Sequence, residues 1–339
     1  MNKKILILTN DKIFIDNDKI SSDYNDTINI IEGLAKKNHL SFVCKNTKKI
    51  RNFITIKNKY RKFKKKNFFN FKDKFKNYKI FMISITPFNL FALIFIKIFN
   101  RKIKGFVYLR SDGHKEYFYK YGLLGHFFYD LMFKIVTNLL KILVVSRHLS
   151  GLKENYTLIK PSEIENKWFL KRKKADLHKP KLLYLGRYKK EKGIFSLRNI
   201  FDSINFNFEL NIVGLKKKII SSNDKVKLFN EVNSTKKIIS FYDKCNIFVL
   251  PSYTEGAPKV ILESLARYRP IIVFGEIKHV KENFRGIFVC RRQTKDFTNK
   301  VRYIMKNYKY IIKEIKKNKI PTKKQFQNEL SEFFNENFE

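Results

Sequence analysis

The feature that most constrains this chain is a rhythm. Short apolar runs of strand length alternate with longer stretches of helical period, and the alternation runs twice. In the first half, strands are expected at residues 4–9, 40–44, 80–85, 105–109 and 142–146, with helices at 28–37, 88–100 and 121–138. An irregular stretch at 157–180 follows, carrying Pro161, Pro180 and the basic run 171–174. The rhythm then restarts, with strands at 181–186, 209–213, 226–229, 247–251, 271–274 and 286–289 and helices at 193–202, 234–244 and 258–267. The tail at 297–338 is helical and charged, interrupted near Pro321. Strands buried on both faces and separated by helices predict parallel sheets. The fold class expected is α/β, with two Rossmann-like doubly wound domains facing a central cleft and ligands at the carboxyl ends of the strands. A length of 339 residues suits two domains. No internal repeat of solenoid period is present.

Lys and Arg number 72 against 30 Asp and Glu, a formal net charge of +42. Such a chain is drawn to polyanions, whether nucleic acid or an anionic membrane surface. A composition rich in Lys, Asn, Ile and Phe also follows from AT-rich coding, so functional and compositional origins both stand for the excess. Cys44, Cys245 and Cys290 lie far apart without metal-ligand spacing, which fits a reducing compartment. The opening MNKKILILTND begins like a signal peptide, but its apolar run, Ile5 to Leu8, is too short, and a first buried strand is expected instead. The longest apolar stretch, 80–99, is interrupted by Ser84, Thr86, Pro87, Asn89 and Lys97. A strand, a break at Pro87 and a buried helix describe it better than a membrane span.

The segment FVLPSYTEGAPKVILESLA, 248–266, holds the most chemistry. A buried strand ends at Pro251, a polar loop follows, and a helix is expected to open near Pro258. Gly256 just before that helix leaves backbone N–H groups and a helix dipole facing an anion. Glu255 in the loop and Glu263 on the helix stand eight residues apart. Carboxylates there are suited to accept hydrogen bonds from sugar hydroxyls, although on the pattern alone helix capping by Glu255 and simple solvation of Glu263 are the better account.

This segment resembles the E-x7-E region of retaining GT-B glycosyltransferases of family GT4, the group 1 glycosyl transferases. LYLGRYKKEKG, 183–193, resembles that family's strand–GR–x4–KG element, and YDKCNIFVLPS and RYRPIIVFGE flank the glutamates in matching kind and spacing. LIKPSEIENKWF, downstream of Ser146, resembles the family's linker. The resemblance is strong over about 182–274 and rests on rhythm alone in the first half. It implies that Arg187, Lys192 and Glu255 are catalytic, the two cations holding the donor diphosphate and Glu255 facing the transferred sugar. It implies donor binding by Gly186, Gly256, Ala257, Pro258, Lys259, Val260 and Glu263, with Glu263 on the ribose hydroxyls. Charge building on the leaving group is what paired cations stabilise. No cofactor and no metal are then expected, and the sugar is transferred from a nucleotide-diphosphate donor with anomeric retention and no dedicated general base. The chain departs from the family pattern in VGLKKK and FNEVN, which hold fewer glycines, in TNDKIFIDND after the first strand, and in Gly275-Glu276, where a glycine pair is usual.

The domains expected are an acceptor-binding domain at 1–170, a nucleotide-sugar domain at 171–320 and a C-terminal helix at 321–339 crossing back to the first, as the resembling family does. In LRSDGHKEY, 109–117, Asp112 and His114 are candidate acceptor contacts, against ordinary solvation in a loop. The run 45–79 holds fifteen Lys and Arg against Asp73 alone, interleaved with aromatics. It is a candidate for docking on an anionic membrane surface, next to the plainer account of a solvated lysine-rich face. The acceptor class suggested is a glycan or a lipid-linked acceptor, in bacterial surface polysaccharide or lipopolysaccharide synthesis. The expected location is cytoplasmic, peripheral on the inner membrane face. A basic nucleic-acid-binding protein is the rival class. No RNP, zinc-finger or helix-turn-helix pattern accompanies the charge, so no nucleic-acid partner is expected. An inactive GT-B relative is the third reading, against which the retained Arg187, Lys192, Glu255 and Glu263 speak.

Overall fold

The structure is a computed structural model that describes residues 3–16, 19–22, 24–46, 54–57, 64–65, 77–151, 153–215 and 225–337. Most of the basic run 45–79 lies outside the described residues. The chain divides into two compact units, one of Met1–Glu163 with Pro321–Glu339 and one of Ile164–Ile320.

The first unit is built on a nine-stranded sheet. Its strands are β1 (Lys3–Asp16), β2 (Lys19–Ser22), β3 (Asn38–Asn46), β4 (Ile54–Lys57), β5 (Lys64–Lys65), β6 (Tyr78–Ile83), β7 (Gly105–Leu109), β8 (Lys141–Val144) and β9 (Tyr156–Leu158). The helices are α1 (Asn25–Ala35), α2 (Pro87–Phe99) and α3 (Gly113–Leu139). From β5 through β3, β1, β6, β7 and β8 to β9 the pairing is parallel. The apolar runs that announced these strands are their buried core: Ile5 to Leu8, Ile80 to Met82 and Leu143 to Val144 are fully enclosed. β1 does not stop at Thr9. After an irregularity between Thr9 and Lys12 it continues to Asp16 and turns back through β2 as an antiparallel hairpin. The alternation Ile13, Ile15, Ile20 supplies the strand period there, with Ile13 and Ile20 buried.

The stretch 80–99 is a strand and a helix, as its interruptions predict, but the helix is not buried as expected: Asn89, Ala92, Leu93 and Ile96 are enclosed, while Phe91, Ile94, Ile98 and Phe99 are exposed because only one face meets the sheet. Thr86 caps α2 by accepting the Asn89 N–H, and Pro87 occupies the first turn. Among the described residues no helix is long and apolar enough to cross a membrane. α3 begins at Gly113 rather than near 121, because the Asp112 side chain accepts the Lys115 N–H and starts the helix there. Its backbone leaves helical geometry once, at Gly122 (φ 68°). The C-terminal helix Lys323–Glu336 counts with this unit. Phe333 and Phe334 set their rings against Phe106, Phe334 also against Phe81, and Gln327 donates to Glu32 on α1 at 2.8 Å.

The second unit has a six-stranded parallel sheet of β10 (Lys181–Leu185), β11 (Glu209–Leu215), β12 (Val226–Asn230), β13 (Ile247–Leu250), β14 (Ile271–Phe274) and β15 (Ile287–Cys290). With it go α4 (Ile194–Asp202), α5 (Thr235–Lys244), α6 (Lys259–Ala266), α7 (Thr294–Lys306) and α8 (Tyr308–Ile315). The C-terminal helix is α9 (Lys323–Glu336). The strand order is β12-β11-β10-β13-β14-β15. The sequence boundary at 170/171 moves to 163/164, and two buried arginines give the reason. Arg267, at the end of α6, clasps Asp243 in a two-pronged ion pair and donates to the carbonyls of Trp168, Leu170 and Lys171. Arg269 donates to the carbonyls of Lys173 and Tyr242. A guanidinium carries five donors in a fixed fork, enough to hold an irregular connection against a helix end. Residues 164–173 are thereby part of the second unit, and α6 is anchored at its carboxyl end.

Candidate functional site

The strand order of the second sheet reverses direction between β10 and β13, which are adjacent and parallel. At such a switch point the connections on either side leave in opposite directions, and a crevice opens at the carboxyl ends of the two strands. The loop after β10 carries Gly186, Arg187 and Lys192. The loop after β13 carries Ser252 through Pro258. The two segments on which the family resemblance rests are therefore neighbours in space for a topological reason.

The side chains meet as follows. Lys192 Nζ donates to Glu255 Oε1 at 2.6 Å, and the Ser252 hydroxyl donates to the same oxygen at 2.7 Å. Both members of the ion pair are largely buried. The backbones are joined too, since the Tyr253 N–H donates to the Glu191 carbonyl at 3.0 Å. Gly193 makes this approach possible. Its φ is +69°, and a Cβ there would lie 1.8 Å from the Pro251 carbonyl oxygen. Tyr184, beneath the loops, donates its hydroxyl to the Arg187 carbonyl at 2.9 Å. Burial raises its pKa, Glu255 raises it further and Arg187 lowers it, so all three groups share one neighbourhood. The Arg187 guanidinium is exposed and makes no hydrogen bond or ion pair to the described residues. A cation held at a sheet's switch point with its donors unspent is equipped to take an anion.

Glu263 lies apart from that pair. It is 5% exposed on α6, and the Tyr242 hydroxyl donates to its Oε2 at 3.0 Å. Burial raises its pKa, against the opposing pull of Lys259 and the Tyr242 hydrogen bond. It is neither a solvated helix residue nor a partner of Arg187 or Lys192. Gly256 is buried, Ala257 exposed and Pro258 half-buried. Pro258 is the N-cap of α6, which begins at Lys259 rather than at the proline. Val260 is buried on the first turn.

The model of the family described as glycosyl transferases group 1 matches residues 166–321. The match covers somewhat under half of the chain and falls almost wholly on the second unit. Bacillus subtilis (strain 168) TuaC, provisionally named a teichuronic acid biosynthesis glycosyltransferase, is 29% identical over 107 residues, 29% of this chain and 28% of its own length. The chain thus spans under a third of that curated relative. Among solved structures, sucrose-phosphate synthase from Thermosynechococcus elongatus superposes with a TM-score of 0.69 at 14% identity, covering 99% of each chain. Anabaena Alr3699/HepE in complex with UDP-glucose gives 0.65 at 10% identity, covering 98% of this chain and 99% of that one. At such identities the likeness shows the fold, which is that of GT-B glycosyltransferases, α/β with sheets that are parallel apart from the β1–β2–β4 edge of the first unit.

Within the matched residues the structure adds one that sequence reasoning passed over. Arg292, just after β15, donates to the Pro251 carbonyl at 3.0 Å, to Ser196 at 2.8 Å and to Glu276 at 2.9 Å. It stacks on Tyr253 and Phe274 with its guanidinium 4.1 and 4.4 Å from the ring centroids. It fixes the Glu255 loop to α4 and to the sheet. The signal was present: VCRRQ puts two arginines at the carboxyl end of the last strand, the edge where such sheets build sites. Gly214, the one glycine of VGLKKK, approaches the Gly186 carbonyl so closely that a Cβ would lie 2.1 Å from it.

The candidate acceptor residues sit in the first unit. Asp112 is occupied as the cap of α3 and pairs with Lys115 at 3.5 Å. His114 is half-buried, 3.6 Å from Asp130, and packs against Tyr129 and Phe133. Burial lowers its pKa, with Asp112 and Asp130 pulling the other way and His126 adding to the lowering. At this unit's own switch point, where β1 lies between β3 and β6, Arg110 donates to Ser84, Thr27 and Asp11. Thr27 also donates to Asp11. Ser84 holds a positive φ of 64° there. Among the described residues no group of three or more His, Cys, Asp and Glu is placed to hold a metal ion.

Proposed function

We propose that this protein transfers a sugar, with retention of anomeric configuration, from a nucleotide-diphosphate donor to a glycan or lipid-linked acceptor. The observation that carries the proposal is the set of groups at the β10/β13 switch point: the unbonded Arg187 guanidinium on the loop that also carries Lys192, and the Lys192–Glu255 pair that joins this loop to the next. An ammonium has three N–H donors, and one directed at Glu255 leaves two for phosphate oxygens. Arg187 and Lys192 together take the diphosphate. As the bond from the anomeric carbon to the phosphate oxygen breaks, charge gathers on that oxygen, and the two cations stabilise it. The acceptor hydroxyl adds to the anomeric carbon from the side the diphosphate leaves, and its proton passes to the departing phosphate oxygen. No separate base is needed, and the basic pair provides the charge that a metal would otherwise supply.

Glu255 holds the transferred sugar through the oxygen that Lys192 and Ser252 leave unbonded. Glu263, kept in place by Tyr242, accepts from the ribose hydroxyls, and Gly186, Gly256, Ala257, Pro258, Lys259 and Val260 line the donor. Asp112 and His114 open α3 at the carboxyl end of β7, the edge from which an acceptor is contacted. The UDP-glucose held by HepE and the polysaccharide context in TuaC's name support a nucleotide-sugar donor and a role in bacterial surface polysaccharide or lipopolysaccharide synthesis at the cytoplasmic membrane face. The test is to supply α-linked nucleotide sugars with a bacterial lipid and glycan extract and to read the new linkage by NMR. An α-linked product is expected, and a β-linked product overturns the retaining assignment.

A further inference from the structure

α3 carries two apolar stripes, and the sheet needs only one. Gly125, Tyr129, Met132, Phe133 and Val136 recur at helical spacing and are buried against the first unit. Leu124, Phe127, Phe128 and Leu131 recur at the same spacing and are exposed, Leu124 at 83% and Phe127 at 70%. A helix with one face on a sheet ordinarily presents charge on the other. At the break beside Gly122 the pattern continues, with Tyr121 at 66% and Leu123 at 79% exposed. The helix before it shows the same surplus: Phe91, Ile94 and Ile98 form an exposed stripe on α2, with Phe99 at its end. The crossovers β6-α2-β7 and β7-α3-β8 step along the sheet in the same direction. Connections of one hand then lay both helices on the same face of the sheet, and α2 and α3 are in contact. The exposed apolar side chains of both helices are thereby gathered on one side of the sheet, and clustered exposed apolar residues mark an interaction surface.

Its border is basic. Exposed Arg101, Lys102 and Lys104 follow directly on Phe99, and Lys120 stands between Tyr119 and Tyr121; none of the four has an ion pair among the described residues. From Pro87 to Lys104 there is no acidic residue. We propose that the α2–α3 face is a docking surface for an anionic lipid bilayer. Leu123, Leu124 and Phe127 enter the acyl boundary, the tyrosines lie at headgroup level, and the lysines and arginines meet the lipid phosphates. Charge decides between this occupant and a second copy of the chain. Two chains of net charge +42 repel when their basic borders are brought together, whereas an anionic surface attracts the same border. Its residues differ in sequence from the basic run 45–79 and from the groups proposed to carry sugar transfer, and the test reads binding to vesicles rather than activity.

The experiment is co-sedimentation of the full chain with phosphatidylcholine vesicles, with and without phosphatidylglycerol. The unaltered chain is expected to bind the anionic vesicles and not the neutral ones. The combined variant L123S/L124S/F127S alters only exposed side chains. Its thermal midpoint should be unchanged and its vesicle affinity lower by about tenfold or more. In a second measurement, the indole introduced by Leu124→Trp should shift its emission to the blue on adding anionic vesicles, over a constant background from the buried Trp168. The proposal is overturned if the triple variant binds as the unaltered chain does, since charge alone then suffices. It is equally overturned if the emission of the Leu124→Trp variant does not move, or if the chain ignores vesicles and instead self-associates through this face.

Discussion

Each unit has a switch point at the carboxyl edge of its sheet, and each places an arginine there, but the two arginines are used differently. Arg110 in the first unit spends its guanidinium on Ser84, Thr27 and Asp11. Arg187 in the second donates to none of the described residues and stands exposed on the loop whose Lys192 pairs with Glu255. A cation whose donors are satisfied internally holds the fold together. One whose donors are free is available to a ligand. The same topology therefore yields a fastened edge in one unit and a receptive edge in the other.

Substitution can break this contrast, and the largest effect is expected in the second unit. Arg187→Ala and Lys192→Ala should each lower turnover by about a hundredfold or more, because each removes charge from the leaving group; the thermal midpoint should be nearly unchanged in Arg187→Ala and lower in Lys192→Ala, which strips Glu255 of its buried partner. Steady-state rates with a matched donor, alongside scanning calorimetry, check both halves, and retained turnover in both variants would contradict their roles. Gly193→Ala sharpens the contrast by testing the backbone that brings the loops together. The Pro251 carbonyl must move to admit the methyl group, which displaces Glu255 from Lys192. A shift on the order of 1 Å costs about a hundredfold in rate, and an unchanged rate would show that the close approach is dispensable.

Arg110→Ala should do the reverse. The loss of hydrogen bonds to a partly exposed carboxylate and two hydroxyls should cost about 1–2 kcal/mol of stability in urea titration, and a fall in turnover at full stability would assign Arg110 to ligand binding instead. The smallest effect concerns pH. Burial raises the Glu263 pKa above its ordinary 4.5. The folded state then binds the proton more tightly than the unfolded chain, so this group's contribution to stability is most favourable below that value. It declines as pH rises through the folded-state pKa. Glu263→Gln should remove that decline, and the difference in thermal midpoint between variant and parent should grow as pH rises above 4.5. The variant should also bind nucleotide more weakly, having lost an acceptor for the ribose hydroxyls. A pH-independent difference would mean that the carboxyl titrates alike in both states.

Much of the second unit was legible in the sequence because its signals are local. Strands buried on both faces read as unbroken apolar runs, as in 247–250 and 271–274, and Gly186-Arg187 with Lys192-Gly193 sit at the turn that must bend back on the sheet. What pairs with what was not local. The Lys192–Glu255 bond joins residues 63 apart in sequence, and Arg292 reaches the Pro251 carbonyl across 41. No periodicity encodes either. In the first unit the strand was expected to end at residue 9, since the apolar run stops there and Asn10 and Asp11 are turn formers, yet β1 continues to Asp16. Asp112 read as a free loop acid because its partner is the backbone of Lys115, which pattern alone does not show. The late start given to α3 follows from Gly122, which breaks the helical backbone and made the first turns look like loop.

The most direct test of the receptive edge is calorimetric titration of the full chain with UDP-, GDP-, ADP- and dTDP-linked sugars, repeated on the R187A/K192A variant. One donor class should bind the unaltered chain, raise its thermal midpoint in proportion to occupancy, and lose both effects in the double variant. Equal binding to the two proteins, or no binding of any sugar nucleotide to either, would contradict the account.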